Sequence, residues 1–305
     1  FDEEGNIIEV ETAPKRYTYL LGENESCTTP AERLHLLHSQ KNNLKLEDVL
    51  NAFNVDKITD DFFNTYKKLY LKLYDEIEHL IKKDKNINVT FQKNHITSEE
   101  FSKKLLGQLV FIYFLQKKGW LGLRKNDDDV FKKWGTGDKN FIRNLFNKKY
   151  CNYNNFFNDV LEPLFVAFST DLPENYYSKL DTKIPFLNGG LFDPIKNYNW
   201  LDTKINISNN LINEILDNFE MYNFTIQEED PNETEIAIDP EMLGKVFENL
   251  LDIKDKKSKG TFYTPRKIAK YICEEALINY LINELGNEEK DAIIQIVKNV
   301  YAYKQ

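Results

Sequence analysis

Apolar residues recur at steps of three or four along one stretch of the chain: Phe62, Tyr66, Leu69, Leu73, Ile77 and Leu80, with lysines on the opposite side. That spacing predicts a long amphipathic helix. Thr59 reads as its N-cap, and Asp60 and Asp61 complement the positive end of the helix dipole. A second long helix is expected from Ser98-Glu99-Glu100-Phe101 through the apolar run Leu109–Leu115 to Lys118, with Gly119 as its stop. Two adjacent helices of similar length suggest an antiparallel pair. Shorter helices are expected from the Thr29-Pro30 start to about His38, over Leu46–Phe53, around 139–149 and 155–168, and over Leu211–Phe219. Later ones are expected over Pro240–Leu251, Pro265–Leu285 and Glu288–Tyr301.

Strand signals are few. Residues 6–11 and 16–22 read as short extended segments on either side of Ala13-Pro14-Lys15. Asn188-Gly189, between two apolar stretches, reads as a hairpin turn and places a hairpin near 184–205. The fold class is therefore mainly α, a multi-helix bundle with minor β. The expected organisation is a linking remnant over 1–28, a helical domain over 29–170, a mixed loop and hairpin region over 171–238, and a further helical segment over 239–305.

Composition narrows the class. The 305 residues carry ordinary apolar content and 38 Phe and Tyr side chains, which fits a globular chain. Heavy use of Asn, Lys, Ile, Phe and Tyr follows from AT-rich codons and needs no functional cause. Cys27, Cys151 and Cys273 are far apart and form no metal or disulfide pattern, which fits a reducing cytoplasm. The Leu109–Leu115 run is too short to span a bilayer, so no membrane partner is expected.

Net charge is −9, yet it is segregated. Residues 103–149 hold 12 basic and 4 acidic side chains, residues 159–252 hold 5 and 19, and residues 253–270 hold 7 and 1. Basic stretches of that density can neutralise phosphates without reading sequence. Arg124, Lys125, Lys132, Lys133 and Arg143 are the candidate DNA contacts in the first stretch, and Lys256, Lys257 and Lys259 in the last.

The basic loop ending at Lys259 runs into Gly260-Thr261-Phe262-Tyr263-Thr264-Pro265. Thr264 is a natural N-cap and Pro265 suits the first helical position. Such a helix start offers backbone N–H groups to an anionic group. Upstream lie "PFLNGGLFD" at 185–193 and "IDPEMLGKVFENLL" at 238–251. The three elements in this order resemble bacterial fused type II (IIG- or IIS-like) restriction–modification enzymes. In those a helical connector leads into a gamma-class, adenine-specific DNA methyltransferase. The segments "PKRYTYLLG", "TPAERL" and "LNAFNVDKITDDFFNTYKKLY" extend the resemblance over nearly the whole chain. It implies an S-adenosylmethionine pocket to which Gly260, Phe262, Tyr263, Thr264 and Pro265 contribute, and double-stranded DNA as the partner of the intact enzyme.

The family's D-P-x-x-G-x-G loop and its N-P-P-Y loop do not occur in this sequence. In Asp239-Pro240-Glu241-Met242-Leu243-Gly244, Val246 stands where the second glycine belongs. Glu288-Glu289-Lys290 is the one E-x-K, with no strand bearing a partner aspartate upstream. The expectation is thus a fragment without catalytic residues or bound cofactor of its own. Mg2+ would serve only a nuclease domain lying before Phe1. The competing readings are a helical scaffold or protein-interaction module, and an autonomous DNA-binding domain using residues 103–149.

Overall fold

The computed structural model describes residues 16–22, 25–39, 43–126, 129–196, 198–199, 201–225, 233–240, 242, 244 and 266–298. The chain divides into two compact units. One comprises 18–227 and 235–239, and the other 1–17, 228–234 and 240–305. Residues 29–170 and 171–227 therefore lie in the same unit.

Helices dominate the larger unit, which makes the fold mainly α. α1 (Thr28–Ser39) and α2 (Leu46–Ala52) precede α3 (Val55–Lys83), α4 (Lys85–Lys93) and α5 (Ser98–Lys117). α3 buries the expected stripe, with Phe62, Tyr66, Leu73 and Ile77 almost wholly out of solvent. It starts earlier than Thr59, because Asn54 accepts the Lys57 N–H and caps the end. Thr59 sits inside the helix and bonds back to the Val55 carbonyl at 3.1 Å. α4, absent from the periodicity reading, is a short polar helix capped by Asp84.

α5 is buried nearly all round, from Phe101 to Gln116, as a helix without a polar face must be. Thr97 and Glu100 close its start in a reciprocal capping box. It packs antiparallel to α3. Ser98, at its start, donates to Glu78 near the far end of α3 at 2.6 Å. Tyr113, near its end, shares the rings of Phe219 and Phe224 with Phe62 near the start of α3.

α6 (Phe141–Phe146) follows, then a π-helical turn at Phe157–Leu161 running directly into α7 (Glu162–Phe168). The hairpin joins β2 (Tyr176–Tyr177) to β3 (Thr182–Lys183), upstream of the one expected at Asn188-Gly189. Residues 185–194 form an irregular loop, because α5 takes their backbone carbonyls. Lys104 donates to Gly190 O and Asp193 O, at 3.1 and 2.5 Å, and Gln108 to Leu191 O at 2.9 Å. Phe192 is sunk among Phe111, Phe165 and Phe168. α8 (Asn209–Phe219) completes the core by setting Phe219 against Tyr66 and Tyr113.

A second strand pair joins β1 (Arg16–Thr18) to β4 (Glu233–Glu235). The strand expected at 6–11 and most of the helix expected over 240–251 lie outside the described residues. In the smaller unit, α9 (Arg266–Leu285) and α10 (Lys290–Lys298) pack through Ile278, Ile293 and Val297.

Candidate nucleic-acid interface

After α5 the chain makes an excursion over 119–138 that returns to its own starting point. Gly119 ends the helix at φ +67, a conformation open to glycine at little cost. Its carbonyl then accepts from Gly135 N–H at 3.0 Å and Gly137 N–H at 2.9 Å, and Leu121 O accepts from Asp138 N–H at 2.8 Å. Between these clamps the backbone is ribbon-like. Lys125 bridges Phe131, and Leu123 bridges Lys183 of β3. Three stretches distant in sequence thereby share one surface: the excursion, the β2–β3 hairpin and the segment following α6.

Arg124 lies at the centre of that surface, its guanidinium 4.1 Å from the centre of the Tyr150 ring and within 3.4 Å of the Lys149 carbonyl. Tyr150 is fixed from the other side by donating to Asp138 at 2.8 Å. Burial, reinforced by that carboxylate, raises its phenol pKa well above the usual tyrosine value. Lys148 lies 4.8 Å from the centre of the Tyr153 ring. Lys132 and Lys133 are exposed, and the backbone N–H of Lys132 donates to Arg124 O at 3.1 Å.

Lys125 points elsewhere. It pairs with Asp129 at 2.8 Å, which raises its pKa, and lies over Phe131 together with Lys183.

Arg143 is not on this surface. Its Nε donates to both carboxylate oxygens of Glu220 at 2.9 Å, Nη1 to Asn213 and Nη2 to Asp217, each at 2.7 Å. The guanidinium is thereby committed to α8. It lines a cleft of about 360 Å3 with Lys117, Lys139, Glu25 and Glu220. There Lys117 is in turn paired with Glu25 at 2.5 Å. A charge run in sequence hid the difference between Arg143, whose acidic partners lie more than 70 residues away, and Arg124, which has none among the described residues. Lys148 and Lys149, inside the basic stretch but not singled out by any motif, are brought to Arg124 by the fold.

Gly260, Phe262, Tyr263, Thr264, Pro265, Lys256, Lys257 and Lys259 lie outside the described residues. The helix that Thr264-Pro265 was expected to open is described from Arg266 onward. Glu288 and Glu289 occupy an exposed 3-10 turn leading into α10. No described helix is long and apolar enough to cross a membrane.

Comparison with known proteins returns a protein of Methanocaldococcus jannaschii, provisionally named a type II restriction enzyme and methyltransferase. It is 25% identical over an alignment covering 78% of this chain and 22% of the relative. The chain is similar to a restriction–modification protein. It spans about a fifth of that relative's length. No family model and no solved structure matches the chain.

Proposed function

We propose that the chain is the helical connector region of a restriction–modification enzyme. The whole protein would transfer a methyl group from S-adenosylmethionine to the exocyclic amine of adenine in DNA. A Mg2+-dependent nuclease domain outside this chain would cut the DNA. The observation that carries the reading is alignment with the restriction–modification relative over most of the chain, joined to the order of "PFLNGGLFD", "IDPEMLGKVFENLL" and "KGTFYTPRKIAKYI".

Chemistry at the adenine amine requires the base to leave the stack. The catalytic loops that receive it would come from sequence outside these 305 residues. Within this chain Phe262 and Tyr263 would wall the cofactor pocket. Thr264 would offer its hydroxyl and the first helical N–H groups to the carboxylate end of the cofactor, as helix starts do for anions. Gly260 would let the loop turn, and Pro265 would fix the first turn of the helix. The helical unit would set the reach between nuclease and methyltransferase.

The test is methyl transfer by the full-length protein, using tritiated S-adenosylmethionine and plasmid DNA followed by nucleoside digestion. Label should appear in N6-methyladenine and fall at least tenfold with Thr264→Val. Label confined to cytosine, or none at all, overturns the reading. The 305-residue chain alone should transfer no methyl group, and micromolar cofactor affinity in that chain would contradict the division of the pocket.

A further inference from the structure

Some cations in the larger unit are consumed by carboxylates. Arg33 pairs with Asp61, Lys72 with Glu214, Lys103 with Glu99, Lys117 with Glu25, Arg143 with Asp217 and Glu220, and Lys196 with Glu100. Arg124, Lys132, Lys133, Lys148 and Lys149 are instead gathered on one surface, by the Lys132 N–H bond to Arg124 O and by the contacts of Arg124 with Lys149 O and the Tyr150 ring. Among the described residues none of the five has a carboxylate within ion-pair distance. Asp138, which accepts from Tyr150 beside the cluster, also accepts from Asn144, each at 2.8 Å.

Two of these cations rest on aromatic faces: Arg124 on Tyr150 and Lys148 on Tyr153. A ring holds a cation in place without cancelling its charge. The result is a fixed group of positive charges on a chain of net charge −9, assembled from two separated stretches and held there by backbone bonds.

We propose that this surface grips the phosphate backbone of duplex DNA without reading its bases. Arg124 and Lys148 already occupy the Tyr150 and Tyr153 rings, so those two rings offer held charge rather than a free stacking face. Single strands draw much of their affinity from stacking on uncovered rings, whereas duplex phosphates need only cations. These side chains would hold duplex DNA whatever chemistry the rest of the enzyme performs.

The experiment is fluorescence anisotropy of the 305-residue chain with a labelled mixed-sequence duplex of about 25 base pairs over a salt series. The wild type should bind at low salt, with log affinity falling linearly against log salt. The variant Lys132→Glu, Lys148→Glu, Lys149→Glu should lose at least tenfold in affinity, and its salt slope should shrink by about 2 to 3. The variant Lys68→Glu, Lys83→Glu, Lys93→Glu makes the same change in net charge at exposed positions on α3 and α4 and should bind nearly as wild type.

Equal loss in the two variants, tighter binding of the matching single strand, or no binding by the wild type at low salt would each overturn the proposal. Thermal melts establish that the variants are folded. Should the triple variant unfold, Lys132→Glu alone decides, with a slope smaller by about 1 expected. Methyl transfer by the full-length protein is scored separately, so failure of this surface and failure of the methyltransferase reading are distinguishable.

Discussion

The side-chain carbonyl of Asn223 accepts the backbone N–H of Ser26 at 2.5 Å, joining positions 197 residues apart. The same side chain donates to Leu20 O at 3.2 Å, and the Asn223 backbone carbonyl accepts from Ile238 N–H at 2.7 Å. Asn223 is nearly buried, so a lost partner there is not replaced by water. It holds the incoming segment by its side chain and the outgoing strand by its backbone. Asn223→Ala should cost about 1–3 kcal/mol and speed amide exchange at Ser26, while Ile238 stays protected. Asn223→Asp should restore protection at Ser26. Amide hydrogen exchange distinguishes these outcomes, and equal acceleration at Ser26 and Ile238 would contradict the split.

Arg143 is expected to be a stability residue. Removing its charge leaves Glu220 and Asp217 without their shared cation on the half-covered face of α8. Arg143→Gln should therefore destabilise the chain by about 1–2 kcal/mol, read from denaturant midpoints. Its salt slope for duplex DNA should match the wild type.

Glu162 makes stability depend on pH. Burial raises its pKa to about 8, partly opposed by the Tyr198 hydroxyl, which lies 3.1 Å away. In the unfolded chain the same carboxyl returns towards 4.5. The folded state thus binds the proton more tightly, and its contribution is fully present below about pH 4.5 and lost as pH rises through about 8. The slope reaches at most about 1.4 kcal/mol per pH unit. Glu162→Gln should flatten that decline and raise the melting temperature relative to wild type at pH 8.5. A variant with an unchanged pH profile would remove Glu162 as the cause.

The clamp of the 119–138 excursion has no room for a methyl group at Gly137. A Cβ there would sit 2.1 Å from Leu121 O and 2.8 Å from Gly119 O. Gly137→Ala should lower the melting temperature by several degrees and weaken duplex binding, because the strand bearing Lys132 and Lys133 must shift. Gly189→Ala, at a position with open space around it, should change neither.

The α3 stripe and the apolar body of α5 were legible because burial imposes a period that a single stretch of sequence displays. The cap of α3 was misread because Thr59, Asp60 and Asp61 make a better local signal than Asn54. What chose Asn54 was its bond to Lys57 N–H. The hairpin signal at Asn188-Gly189 failed for a tertiary reason, since Lys104 and Gln108 on α5 take the carbonyls a ladder would need. Charge density marked residues 103–149 but could not separate Arg143 from Arg124. Their difference lies in Asp217, Glu220 and Tyr150, and only folding brings those partners near.

Ile236 N–H donates to Thr18 O at 2.7 Å, so the chain returns to within one hydrogen bond of where it entered the larger unit. A block whose ends meet in this way behaves as a cassette. It can be lengthened, exchanged or deleted while the two cut ends stay close enough to splice with a short turn.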